Sequence, residues 1–133
     1  MQHQGSCLCG TVKYAVSGSF NAFYLCHCTR CKKGTGTAHG ANLFAFNAQI
    51  DWLQGLEQVK RYQHLNTRHV KSFCTDCGSP LPTHDPDLNC VVVPAGSLDT
   101  DVPISPSAQI FVKNRAAWFN DIAHTPCFNG LPK

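Results

Sequence analysis

Seven of the nine cysteines fall into three tight groups: Cys7-Leu8-Cys9, Cys26-His27-Cys28-Thr29-Arg30-Cys31, and Cys74-Thr75-Asp76-Cys77. Thiolates spaced this closely converge on a soft metal ion. Two of the groups are pairs, and two pairs supply the four ligands that fill a tetrahedral zinc; the third group supplies three. Zinc closed by four protein ligands is usually structural, whereas three leave a position for water or substrate. The count predicts two zinc ions per chain, one holding the fold and one available for chemistry.

The other properties of the chain narrow its class. A length of 133 residues suits a single domain, taken here as residues 1–133, with one modest core. Hydrophobic residues are 43% and charged residues 14%, the balance of a lightly charged globular protein. The formal net charge is +3, but seven thiolates on two divalent ions would cancel it. A basic balance that vanishes on metal binding argues against nucleic acid as a partner. The first residues lack an apolar signal region and no run is long enough to span a membrane. With an odd number of cysteines, this favours reduced, metal-bound thiols in a cytoplasmic protein over a secreted disulfide scaffold.

Short alternating segments predict an all-β domain. In residues 11–16, Val12, Tyr14 and Val16 share one face. In 20–28, Tyr24, Cys26 and Cys28 share another, with His27 opposite. Further strands are expected over 41–46, 58–62, 69–73, 89–94 and 109–113. Eight prolines and ten glycines leave room for only short helical turns. One is expected over 29–34, with Thr29 as N-cap and Gly34 as stop. Residues 94–106 read as turns. Trp118 and Phe119 form an aromatic pair whose ordinary place is a core.

In Cys74-x-x-Cys77-Gly78 the sulfurs flank a tight turn, and the glycine accepts the positive φ such a turn needs. Cys7 and Cys9 share a face of an extended chain, and Gly10 follows them. Joining the two pairs closes a long loop; structural zinc contributes on the order of 10 kcal/mol or more against that entropy. In the third group, Cys26 and Cys28 share a strand face and Cys31 returns one turn later, so three sulfurs cap one face of an ion. Helix amides beside them favour the thiolates. His27 is a weak fourth ligand, and Cys90, Cys127, His39 or His84 are alternatives that would close this site. Arg30, Lys32 and Lys33 bracket Cys31, either to balance thiolate charge or hold a substrate carboxylate, or simply as a solvated turn. Lys60, Arg61, Arg68 and Lys71 are expected to face water.

The order of these motifs resembles a known family. Residues 5–14 (Gly-Ser-Cys-Leu-Cys-Gly-Thr-Val-Lys-Tyr) and 26–33 (Cys-His-Cys-Thr-Arg-Cys-Lys-Lys) are similar to the start of glutathione-dependent formaldehyde-activating enzymes. The likeness continues through Lys60-Arg61-Tyr62, the run Phe73-Cys74-Thr75-Asp76-Cys77-Gly78-Ser79-Pro80-Leu81, and Ile110-Phe111-Val112 ahead of Trp118. That family also contains centromere protein V. The resemblance implies a β-tent fold stapled by two zincs. It makes Cys7, Cys9, Cys74 and Cys77 the structural ligands, and Cys26, Cys28 and Cys31 the catalytic ones. It implies a carbon–sulfur lyase that joins formaldehyde to glutathione as S-hydroxymethylglutathione.

The chemistry expected at three thiolates is capture of a substrate thiol. With a net charge of about −1, such a zinc is a weaker Lewis acid than a histidine-bound one. A thiol held there as thiolate attacks a nearby aldehyde, helped by proximity. His27 and His39 are the candidates to accept its proton. The partners are then a small thiol and an aldehyde, with no nucleic acid and no membrane; a homodimer is compatible with the sequence. The rival reading is a two-zinc structural or interaction module with the second site closed. A zinc-ribbon nucleic-acid binder would need clustered cations among exposed aromatics, which this chain lacks.

Overall fold

The computed structural model describes residues 2–132. It is mainly β, as the sequence predicts, with eleven strands, one short α-helix and several 3₁₀ turns among those residues. The strands form three sheets. The first joins β1 (Gln2–Ser6), β2 (Lys13–Ser17) and β5 (Gln49–Gln54) in the order β1-β2-β5. The second contains β3 (Ala22–Cys26), β4 (Gly40–Phe46), β9 (Thr83–Asp85), β10 (Cys90–Pro94) and β11 (Ala108–Ile110), in the order β11-β3-β4-β10-β9. The third is β6 (Val59–Gln63), β7 (Val70–Cys74) and β8 (Pro80–Leu81). All pairings are antiparallel except β11 against β3.

Period-two alternation places the core. Val12, Tyr14 and Val16 are fully buried, as are Leu43 and Ala45 of β4 and Val91 and Val93 of β10. Register aligns Val91 with Ala45 and Val93 with Leu43, so the two strands offer a continuous apolar face. Val92, between them, points to the other side of the sheet, where it lines a cleft. Tyr14 reaches across the core to Ser97, with its hydroxyl 2.5 Å from Ser97 Oγ. Ser97 in turn donates to the Pro94 carbonyl at 2.7 Å, so the buried phenol is satisfied. Gly5 pairs with Tyr14, and a Cβ there would collide with the phenol and the Ser97 carbonyl.

The single helix, α1 (Thr29–Thr35), differs from expectation at both ends. Cys28, not Thr29, is the N-cap: its backbone is extended and its sulfur accepts from the Cys31 amide at 3.4 Å. A thiol thus fills the role a hydroxyl normally takes, because it sits one residue before the first helical φ. Gly34 stays helical, and the helix ends at Gly36, in the left-handed region with its N–H on the Lys32 carbonyl. The strand expected over 109–113 stops at Ile110, since Phe111 turns into the left-handed region at φ 54°. The core place expected of the Trp118–Phe119 pair is not found for Trp118, which is 68% exposed. No helix among the described residues is long and apolar enough to cross a membrane.

Candidate functional site

The two cysteine pairs meet. The sulfurs of Cys7, Cys9, Cys74 and Cys77 all lie within 4.8 Å of one another, with Cys7 Sγ 3.6 Å from Cys9 Sγ and Cys9 Sγ 4.0 Å from Cys74 Sγ. Four sulfurs about 2.3 Å from one tetrahedral ion would stand about 3.8 Å apart, so this donor set suits a tetrahedral zinc. Local backbone makes it so. Cys7 and Cys9 form a turn after β1, closed by the Gly10 amide on the Cys7 carbonyl at 3.1 Å. Cys74 ends β7, and the Gly78 amide reaches back to its carbonyl at 2.7 Å. Gly10 and Gly78 have φ of 80° and 75°, the region that glycine enters without strain.

Ser79 ties the two turns together. Its Oγ accepts from the Leu8 amide at 3.0 Å and from the Cys77 thiol at 3.2 Å. That hydroxyl, with the Cys9 and Ser79 amides, pulls the Cys77 thiol down to about 5. Cys74, despite an amide bond from Cys77, is pushed up to about 11 by burial and by its contacts with Cys7 and Cys77. Cys7 is lowered: burial opposes ionisation, but the Val12 amide at 3.3 Å and the neighbouring thiols outweigh it.

The third group also converges. The sulfurs of Cys26, Cys28 and Cys31 lie within 4.8 Å of one another. Cys26 ends β3, Cys28 caps α1, and Cys31 stands one turn into it. Gly40 pairs with Cys26 and leaves the side of Cys31 bare, since a Cβ there would sit 3.6 Å from its Sγ. Burial raises the Cys31 and Cys26 thiols. For Cys31 the neighbouring Cys26 and Cys28 act in the same direction. Cys28 goes the other way: burial is outweighed by the Cys31 and Arg30 amides and by hydrogen bonds with its neighbours. Three sulfurs gathered this closely also suit a soft divalent ion.

None of the anticipated fourth ligands joins this trio among the described residues. His27 is fully buried, with Nε2 2.8 Å from Gln109 Oε1 and Nδ1 without a partner. Its ring packs on His39 and Phe119, with centroids 5.3 and 5.5 Å away. His39 Nδ1 donates to the Gly40 carbonyl at 3.1 Å. Cys90 is buried in the second sheet and Cys127 is exposed. His84 lines the cleft described next. Of the basic run, Lys32 is engaged by the Asn114 carbonyl at 2.5 Å, while Arg30 and Lys33 are exposed.

Sequence reasoning missed a cleft of about 350 Å³ that opens beside Cys31. The end of α1 forms one wall, and β4, β6, β7, β8 and the β9–β10 hairpin form the rest. Arg61, Arg68 and Lys71 line it; Arg61 and Arg68 are also exposed, as expected, whereas Lys71 is half-buried. Nothing in the sequence distinguishes a cation over solvent from one over a cleft; only the alternation of Arg61 and Gln63 on one face of β6 hints at a shared surface.

The family model described as glutathione-dependent formaldehyde-activating enzyme matches residues 2–114. The crystal structure of a Rhodobacter sphaeroides protein superposes with a TM-score of 0.63 at 20% identity, over 80% of this chain and 98% of that one; the two share a fold. No curated protein matches the sequence. With the family model spanning nearly all of the sheets and every clustered cysteine, the chain belongs to the glutathione-dependent formaldehyde-activating enzyme family.

Proposed function

We propose that this chain is a zinc-dependent carbon–sulfur lyase-type enzyme, acting on the adduct of a small thiol, glutathione or a similar one, with formaldehyde or a related aldehyde. The observation that carries the reading is the difference between its two cysteine groups. Four sulfurs surround one point, whereas three sulfurs gather at the edge of a cleft that Cys31 itself lines. A saturated donor set suits a structural ion, and an incomplete one beside a cavity suits a substrate. In this reading Cys7, Cys9, Cys74 and Cys77 hold a structural zinc, and Cys26, Cys28 and Cys31 hold the second.

Zinc, when bound by the three cysteines, supplies a further coordination position that favours a thiol as its thiolate. The chain's own contribution is placement. The Cys28 cap fixes the start of α1 and so the position of Cys31, and the cleft confines both reactants beside that sulfur. In the adduct-forming direction the thiol sulfur bonds to the carbonyl carbon, the carbonyl π pair moves to oxygen, and the thiol proton ends on that oxygen. Lyase action is the reverse, and neither direction needs an oxidant. Free cysteines suit a reducing compartment such as the cytoplasm.

Formaldehyde adds to thiols unaided, so the test must be differential. Adduct formation should run well above background with the wild-type protein and return to background with Cys28→Ser at matched zinc content; equal rates would remove the enzymatic reading. Cobalt substitution separates this reading from a structural module. The visible spectrum of the three-cysteine site should change when glutathione is added, and an unchanged spectrum would favour a closed site.

A further inference from the structure

The cleft beside Cys31 carries a charge pattern. Its volume, about 350 Å³, is at the small end of ligand sites, which run from about 300 to 1,000 Å³. It therefore suits one small molecule. Val70 and Leu81 give it an apolar surface. Around this stand three cations, Arg61, Arg68 and Lys71, against two carboxylates, Asp85 and Asp87.

Two of the three cations are already engaged. Lys71 Nζ donates to the Gly34 carbonyl at the end of α1. Arg68 faces Asp87 at 3.7 Å. Arg61 has no ion-pair partner among the described residues. It extends from β6, opposite Ser72 of β7, whereas Cys31 enters the same cleft from α1. The cleft thus offers sulfur chemistry from one element and an uncommitted guanidinium from another. Burial, with the charges of Arg30, His64 and Lys71, holds His69 below its ordinary pKa. A guanidinium fork matches a carboxylate through two parallel hydrogen bonds, which an ammonium cannot copy.

We infer that Arg61 is a specificity residue that anchors a carboxylate of the thiol substrate, so that the cleft selects thiols carrying a carboxylate away from the sulfur over neutral thiols of similar reactivity. The inference rests on the reading under Proposed function and deepens it. The carboxylate lies on Arg61 while the sulfur end of the same molecule reaches the Cys26, Cys28 and Cys31 group. A thiol without a carboxylate enters the cleft but gains nothing from Arg61.

S-Methylglutathione keeps the carboxylates and has no free thiol, so it reports the anchor without the reaction. Calorimetry on the zinc-loaded full chain should show it binding to the wild type. Arg61→Gln should weaken that binding about tenfold to a hundredfold, the range for a charge-assisted hydrogen bond. Arg61→Lys should recover part of the loss, because charge returns without the fork. Adduct formation with 2-mercaptoethanol should be the same in Arg61→Gln and wild type. No binding to the wild type, equal affinity in Arg61→Gln, or an equal loss with 2-mercaptoethanol would each overturn the anchor. These outcomes are separate from the fate of the reaction. If Cys28→Ser abolishes turnover while Arg61→Gln binds S-methylglutathione normally, the anchor fails and the thiol–aldehyde chemistry stands. If wild-type turnover equals background while the binding loss is seen, the chemistry fails and the carboxylate site stands.

Discussion

His69 illustrates how one side chain registers the character of the cleft. Burial lowers its pKa, and the nearby charges of Arg30, His64 and Lys71 lower it further, from an ordinary value of 6.5. A histidine with a folded pKa below its unfolded one leaves the unfolded chain the better proton acceptor between the two values. Stability should therefore be fully present above about pH 6.5 and fall as pH drops through that window toward the folded pKa. Urea unfolding of the zinc-loaded wild type and His69→Gln at pH 7.5 and 5.5 checks this, with a smaller acid-side loss expected in the variant. Equal losses in the two proteins would show that His69 does not report on its surroundings. Other residue-scale properties were legible in the sequence. Gly78 takes the positive φ that the Cys74-x-x-Cys77 turn demands, and His27 stays out of the three-cysteine group as expected, although the strand expected over 20–28 ends at Cys26, before it.

At the scale of elements, α1 is the piece on which the second cysteine group depends. It has seven residues and no buried side chain, too short and too exposed to persist alone. Its restraints are the Cys28 cap, the Gly36 terminus, and two lysines that bind carbonyls: Lys32 on Asn114 and Lys71 on Gly34. Lys71 is the one that reaches from another sheet. Lys71→Met keeps the stem but removes the donor, freeing the last turn. We expect the three-cysteine group to hold zinc about tenfold more weakly, in line with one lost charge-assisted hydrogen bond, while the four-cysteine group is unaffected. Two-step metal release to a chelator measures both together, and equal weakening of the two steps would contradict this assignment. Elements were only partly legible in the sequence. Composition hid β1, where Gln2–Ser6 contains no aliphatic residue yet pairs along its whole length with β2. Propensity reflects packing opportunity more than backbone preference, and β2 supplied the packing.

For the whole molecule, the four-cysteine group joins the first sheet to the third: Cys7 and Cys9 follow β1, Cys74 ends β7, and Cys77 lies in the turn after it. Structural zinc contributes on the order of 10 kcal/mol or more in small domains, comparable to the whole stability of one, about 5–15 kcal/mol. Cys77→Ala should therefore cost the fold, seen as loss of cooperative thermal unfolding. Cys31→Ala should give a folded protein with one zinc by native mass spectrometry. If both variants unfold alike, the division into a structural and a substrate-facing centre is wrong.

Cysteine number and spacing, with the order of motifs, determined from the sequence alone which sulfurs would gather, four in one group and three in the other, and that short strands would carry them. Covalent proximity is local, and a few residues of chain suffice to bring such sulfurs within reach of one point. The tertiary structure alone decided that Cys31, on a helix after β3, would share a cleft with Arg61 on β6 and Lys71 on β7. Those residues are far apart in the chain, and only sheet pairing and loop closure bring them together. Alternation says which side chains leave a sheet on the same side, but not whether that side meets water or the next wall of the molecule.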